Sequence, residues 1–310
     1  MSYPKVTIVG AGNVGANTAL LLLAKNLADV VLIDIAEGVA KGKALDMMHM
    51  RSIEQFGPTI IGTGDYADTA NSEIVIVTAG VPRKPGMTRE DLLGINASIV
   101  RSVFEGALPA SPDALYLLVT NPLDVMVNLA FSLAGLPKQQ LFGMGGALDT
   151  ARFIYSISKM TGANPSSINA LVIGAHGDNM LPLPRMATVN GVPLTELLTM
   201  EQTEAVVAET IQGGTAVVNL LQTGSAFYAP ASSIVQMVGE LLQPSGKMLS
   251  VCARLEGEYG IEGAHIGVPA ILGKNGVEKI VELELNSDEL TKLRNSADSI
   301  KDQFSALVPQ

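Results

Sequence analysis

The sequence has no tryptophan, one cysteine, three histidines and an aromatic content of only 4%. A single cysteine, Cys252, closes no intramolecular disulfide. Its neighbours Leu249, Val251 and Ala253 make it a buried structural thiol rather than a nucleophile. His49, His176 and His265 stand far apart with no second ligand at metal-binding spacing, so no metal centre is expected. Long apolar runs are also missing. The stretch from Thr18 to Ala24 is cut off by Lys25 and Asp29, well short of the ~20 residues that span a bilayer. Strand-like residues begin at Lys5 with no basic leader before them, so neither a membrane segment nor a secretory signal is expected, and the expected location is cytoplasmic. No block of Lys and Arg appears in a chain of net charge −10, which argues against nucleic acid or an anionic membrane as partner. An anionic substrate would therefore need arginines gathered locally against the field of the whole chain.

What is present is a 310-residue chain, 47% hydrophobic, enough to build a large α/β core from Leu, Val, Ile, Ala and Met. Met47, Met48 and Met50 read as packing within it. Val6-Thr7-Ile8-Val9 is a nearly all-apolar run, as in a parallel strand buried on both faces. It enters Gly10-Ala11-Gly12-Asn13-Val14-Gly15, and a helical pattern follows from Ala16 to Leu23. Such a turn lets a pyrophosphate approach the backbone and offers it the free N–H groups of a helix start. The next run, Val30 to Ile33, ends in Asp34, about 20 residues beyond the glycines, where an acid accepts hydrogen bonds from a ribose. A carboxylate there repels a 2′-phosphate and favours NAD over NADP; a plain strand-end turn acid is the bland alternative.

Further strands are expected at 59–62, 74–78, 115–120 and 140–143, alternating with helices. That alternation predicts a doubly wound parallel Rossmann sheet with ligands at the carboxyl ends of its strands. After Thr78, the segment from Ala79 to Arg89 carries Gly80, Pro82, Pro85 and Gly86, which preclude regular structure, and the cations Arg83, Lys84 and Arg89. It reads as a loop able to close over the strand ends, or as a solvated basic loop; Thr88 with Asp91 is placed to cap the helix behind it. At the end of the 115–120 strand, Pro122 puts Asn121 in an extended or turn conformation, where its amide either orients a ligand or makes an Asx-turn.

The glycine-rich stretch from Gly143 to Gly146 marks the expected boundary between domains 1–145 and 146–310. Asp149 and Arg152 then lie on one face of a helix, at the least as an intrahelical ion pair. An apolar stretch, Ile168 to Val172, reads as a strand entering the turn Gly174-Ala175-His176-Gly177-Asp178. Taken alone, His176 is more often a structural histidine. The Asn-Gly pairs at 190–191 and 275–276 predict antiparallel hairpins, so the second half is expected to be α+β. Thr199 with Gln202 predicts the start of a helix to Gln212 that breaks at Gly213-Gly214, and Asn286 with Glu289 a last helix to Leu307.

These segments, in this order and spacing, resemble the lactate/malate dehydrogenase family over essentially the whole chain. The matching pieces are the Gly10–Gly15 turn, Asp34, the 79–89 loop, Val119-Thr120-Asn121-Pro122, Leu148 to Arg152, and Gly174 to Asp178. The resemblance implies that His176 is the acid/base of hydride transfer, that Asp149 is its partner, and that Arg152 clamps the substrate carboxylate. It implies that Arg89 polarises the substrate carbonyl, that Asn121 holds nicotinamide and substrate in register, and that Asn96 and Val119 join the Gly10–Gly15 turn and Asp34 in binding NAD. Within the family, Gln at the position of Arg83 goes with lactate and Arg with malate or oxaloacetate, so the expected substrate is a dicarboxylate of the tricarboxylic acid cycle. Gly80 to Met87 and Gly224-Ser225-Ala226 look closer to the lactate-dehydrogenase-like malate dehydrogenases, which implies a homo-oligomer, with a tetramer favoured and a dimer as the alternative. The rivals are a lactate dehydrogenase, which Arg83 opposes, an NAD-dependent glycosidase, for which the Cys/His metal site is missing, and a silent NAD-binding module with no use for Asp149, Arg152 and His176.

Overall fold

The structure, a computed structural model, describes residues 3–82 and 88–307 apart from the Arg89 side chain. Its first half runs β1 (Lys5–Val9), α1 (Asn13–Ala24), β2 (Asp29–Ile33), α2 (Glu37–Glu54), β3 (Ile60–Thr63), β4 (Ile74–Val77), α3 (Arg89–Ala110), β5 (Leu115–Leu118), α4 (Leu123–Ala134) and β6 (Leu141–Gly143). All six strands are parallel, in the order β3-β2-β1-β4-β5-β6. The apolar runs are explained by burial on both faces: Val6, Ile8, Ile76 and Leu117 are wholly buried between the helix layers. Each such side chain contributes about 1.5–3 kcal/mol of burial free energy. β1 lies at the reversal of strand order, which opens a crevice at the carboxyl ends of β1 and β4.

The second half comprises α5 (Gly146–Thr161), β7 (Ile168–Asn169), β8 (Val172–Gly174), β9 (Met180–Pro182), β10 (Thr188–Val189), β11 (Val192–Pro193), α6 (Leu194–Leu197), α7 (Met200–Leu221), α8 (Tyr228–Leu242), β12 (Met248–Glu256), β13 (Glu262–Gly273), β14 (Gly276–Ile280) and α9 (Ser287–Leu307). Most of its strands extend the first sheet rather than form one of their own. β12 pairs antiparallel with β6 through Cys252 and Gly143, and β13, β8 and β9 follow, so eleven strands form one sheet across both halves. Cys252 is buried at that junction, as expected of a structural thiol. No helix among the described residues is long and apolar enough to cross a membrane.

Both predicted hairpins form, Thr188 and Val189 pairing with Pro193 and Val192, and Gly273 with Gly276. The caps of α3, α7 and α9 form as expected, with Thr88 and Asp91, Thr199 and Gln202, and Asn286 and Glu289 exchanging backbone and side-chain hydrogen bonds. Two expectations are corrected. The strand expected over Ile168 to Val172 is divided: β7 pairs with β10 in a separate three-stranded sheet, while β8 joins the large sheet. At the switch the Val172 N–H donates to the Thr150 hydroxyl on α5 at 3.0 Å, so α5 pins the start of the strand that leads to His176. The helix expected to break at Gly213-Gly214 instead continues to Leu221. The glycines make room for a neighbour: a Cβ on Gly213 would lie 3.2 Å from Arg152 Cδ, and one on Gly214 3.5 Å from the guanidinium nitrogens.

A similar close approach fixes β8 itself. A Cβ on Gly267 of β13 would lie 2.5 Å from the Gly174 carbonyl oxygen, a contact that backbone cannot escape by turning a side chain. Gly267→Ala is therefore expected to lower stability by about 1–3 kcal/mol, the usual penalty of overpacking. Urea denaturation measures it, and an unchanged midpoint would contradict this account of how β8 is seated.

Candidate active site

The turn after β1 has the features of a dinucleotide cradle. Gly10 has φ +107°, and a Cβ on Gly15 would collide with the Gly10 carbonyl, so two of the three glycines are required by the backbone. A Cβ on Gly12 would meet nothing within 4 Å, so that face is open to a ligand. No side chain caps α1, in contrast to α3 and α7, which leaves the N–H groups of Asn13, Val14 and Gly15 at a helix start for an anion. Asp34 accepts the Ala11 N–H at 2.7 Å and the Ala36 N–H at 2.9 Å, which places its carboxylate against the turn. Ala11 is also held from its other side. Lys43 of α2 donates to its carbonyl at 2.6 Å, a contact that no local sequence pattern announces.

At the ends of β4 and β5 the Asn96 amide is fully engaged. Its Oδ1 accepts the Val81 N–H at 2.9 Å and its Nδ2 donates to the carbonyls of Asn121 at 2.6 Å and Val81 at 3.1 Å. It thus ties the base of the 79–89 segment to the end of β5, while the Thr120 hydroxyl donates to Ala79 O at 2.7 Å. Val119 is half-buried beside this tie and the Asn121 side chain is exposed, with its amide open to a ligand. Arg83, Lys84 and the Arg89 side chain lie outside the described residues.

His176, Asp149 and Arg152, from two elements, meet at one carboxylate. Asp149 Oδ2 is 2.7 Å from His176 Nδ1, and Asp149 Oδ1 is 3.1 Å from Arg152 Nη1. The Asp149 side chain is 2% exposed, against 17% for His176 and 18% for Arg152, so a dry acid holds a guanidinium and an imidazole that both reach the rim. Both readings of Asp149 therefore hold, as the intrahelical partner of Arg152 and as the partner of the histidine. Burial works to lower the proton affinity of His176, but the charge and hydrogen bond of Asp149, helped by Asp124, outweigh burial and Arg152, and the imidazole pKa is raised above its ordinary value. With Nδ1 turned to the carboxylate, Nε2 is the ring atom left to exchange a proton with a ligand. His176, Asn121 and Asp124 line a cavity of about 560 Å³, bounded by Glu90 and Leu93 of α3 and Ile300 of α9. His265 is different. Burial, with Arg254, pushes its pKa down to about 3, and it stays a neutral core residue.

This network predicts a shift in reactivity. Diethyl pyrocarbonate acylates only neutral imidazole, so in the unaltered chain His176 becomes reactive only above its raised pKa. Asp149→Asn removes the larger carboxylate influence and is expected to move the onset of His176 modification to lower pH, read by mass spectrometry of the peptide. An unmoved onset would contradict the pairing.

Three comparisons bear on this geometry. The family model for the lactate/malate dehydrogenase NAD binding domain matches residues 4–143, and the model for the lactate/malate dehydrogenase alpha/beta C-terminal domain matches residues 146–308. The chain is 47% identical over 304 residues to a malate dehydrogenase of Roseiflexus castenholzii, covering 98% of each chain. Among solved structures it is similar to a malate dehydrogenase of Cryptosporidium parvum, with TM-score 0.95, 42% identity and coverage of 98% and 99%. It is similar also to a lactate dehydrogenase of the same organism complexed with lactic acid and nicotinamide adenine dinucleotide, with TM-score 0.96, 40% identity and coverage of 100% and 99%. Since neighbours of both names share the fold this closely, the backbone does not separate the two substrates. The open glycine turn fits the cofactor of the matched NAD binding domain, and with both halves matched in order over nearly the whole length, the chain belongs to the lactate/malate dehydrogenase family.

Proposed function

We propose that the chain interconverts (S)-malate and oxaloacetate as an NAD-dependent malate dehydrogenase of the tricarboxylic acid cycle. The observation that carries this reading is the shared carboxylate of Asp149, paired at once with an acid/base and with a clamp. When bound, the nicotinamide supplies or accepts the hydride at the carbon that bears the substrate oxygen. In the reduction direction the His176 imidazolium gives the proton on Nε2 to that oxygen; in the oxidation direction neutral His176 removes it. Asp149 keeps Nδ1 protonated, so one tautomer is used in both directions. Arg152, with one nitrogen on Asp149, has its remaining donors for a bidentate grip on the C1 carboxylate, and Gly213 and Gly214 leave it the space.

Arg89 polarises the substrate carbonyl as charge develops on its oxygen, and Asn121 holds the ring and substrate in register. The Gly10–Gly15 turn, Asp34, Val119 and the Asn96 tie form the cofactor side, in a unit of residues 1–145; residues 146–310 supply the substrate side. Arg83 pairs with the second carboxylate. Pyruvate would leave that guanidinium unpaired in a closed site, at a cost of several kcal/mol if it is desolvated. Three arginines thus gather a dianion into a chain of net charge −10. The name of the Roseiflexus castenholzii relative supports the dicarboxylate.

The same reading places the protein in the cytoplasm as a homo-oligomer, a tetramer in preference to a dimer. Exposed apolar side chains support an assembly: Tyr155, Leu220 and Tyr228 are 62%, 84% and 72% accessible. Light scattering that returned a monomer mass would remove that part.

The decisive assay follows NADH consumption with oxaloacetate, pyruvate and 2-oxoisocaproate in parallel, and oxaloacetate is expected to be the preferred substrate. Arg83→Gln is expected to lower kcat/KM for oxaloacetate by about two orders of magnitude or more, as when a buried charge loses its partner, and to raise the relative use of pyruvate. A variant that kept its oxaloacetate preference would show the specificity to lie elsewhere.

A further inference from the structure

A second carboxylate stands behind the histidine. Asp124 lies in the first turn of α4, fifty-two residues from His176 in sequence, and its Oδ2 accepts the His176 backbone N–H at 2.8 Å. It is 5% exposed, and its Oδ1 is buried with no conventional hydrogen-bond partner among the described residues. The Cys252 thiol from β12, a weak donor, interacts with the same carboxylate.

An acid in the first turn of a helix is favourable at a surface, but a buried carboxylate with one oxygen unsatisfied is expensive. An asparagine would accept the His176 N–H equally well and carry no charge to bury. The hydrogen bond alone therefore does not account for Asp124; its charge does. That charge acts on the imidazole together with Asp149, while Arg152 opposes it. Glu90 and Asp178, from α3 and the His176 turn, border the same cavity, and Cys252 faces Asp124 from the sheet.

We propose that Asp124 is a positioning residue of the active site, which holds the His176 backbone with one oxygen and sets a second negative charge beside the imidazole, so that two carboxylates share the imidazolium. This rests on His176 as the acid/base of the proposed function. Burial pushes the Asp124 pKa up to about 6, against the lowering pull of His176 and of the Cys252 hydrogen bond, so the carboxylate is charged at neutral pH and loses its charge just below it. Under acid conditions His176 keeps Asp149 alone.

The test is a ¹³C-histidine titration by magnetic resonance, feasible because the chain has only three histidines and His176→Asn identifies the signal. In the unaltered chain the His176 resonance is expected to show, besides its own protonation, a second inflection near pH 6 from Asp124. In Asp124→Asn, which retains an acceptor for the N–H, that inflection disappears and the main midpoint falls to lower pH. The alkaline decline of kcat/KM for oxaloacetate reduction moves the same way, with kcat about 3- to 10-fold lower at high pH and KM little changed, as expected when only the proton donor is weakened. Cys252→Ala, which removes the thiol donor, moves the second inflection to higher pH. A purely structural Asp124 would lower the stability of Asp124→Asn but leave both the midpoint and the pH profile in place, and that result overturns the proposal. Should Asp124→Asn fail to fold, the unaltered chain and Cys252→Ala decide: a single inflection, unmoved by loss of the thiol, refutes it. The titration needs no turnover, so an unaltered chain inactive on oxaloacetate would sink the proposed function while the two-carboxylate arrangement stood or fell by its own signal.

Discussion

One buried carboxylate, Asp149, joins His176, the proposed proton donor, to Arg152, the proposed carboxylate clamp, and several elements of the second half of the chain keep that acid dry and doubly paired. A carboxylate with 2% of its side chain exposed is tolerable because one oxygen faces the Arg152 guanidinium and the other the His176 imidazole. Loss of either partner would leave a charge in the interior, a penalty of about 3–5 kcal/mol. The geometry is therefore cooperative: α5 presents Asp149 and Arg152 on one face, Thr150 next to Asp149 fixes the start of β8, and β8 delivers His176 to the acid. Gly213 and Gly214 serve the same end from α7, as the floor beneath the guanidinium.

The electrostatics of the site oppose those of the protein as a whole. The chain is acidic, yet the substrate side needs positive charge, and the acidic residues nearest the histidine are turned to raising its proton affinity rather than to repelling a ligand. Arg152 pulls the other way. The balance leaves an imidazole that binds its proton more tightly than an ordinary histidine does.

Where a rule is local, the chain could be read directly. The Gly10–Gly15 turn between β1 and α1, Asp34 at the end of β2, the Asn-Gly hairpins and the three capping boxes each depend on a few adjacent residues, and each formed as the pattern requires. Long-range contacts were not legible in this way. The divided strand at 168–172 follows from which sheet each piece meets, and the pairing of Cys252 with Gly143 makes one sheet of two predicted units. Two adjacent glycines inside a helix carry a penalty of only about 1 kcal/mol each, which packing against Arg152 offsets. Lys43 and Asp124 had no motif to announce them, because the atoms they hold lie 32 and 52 residues away.

If Asp149 acts through His176, the two side chains form a unit, and the losses on removing them do not add. A double-mutant cycle on kcat for oxaloacetate reduction with Asp149→Asn, His176→Asn and the pair tests this most directly. The account predicts that the double variant is no slower than His176→Asn alone. Losses that multiplied, each variant slowing the reaction by its full factor in the presence of the other, would contradict it.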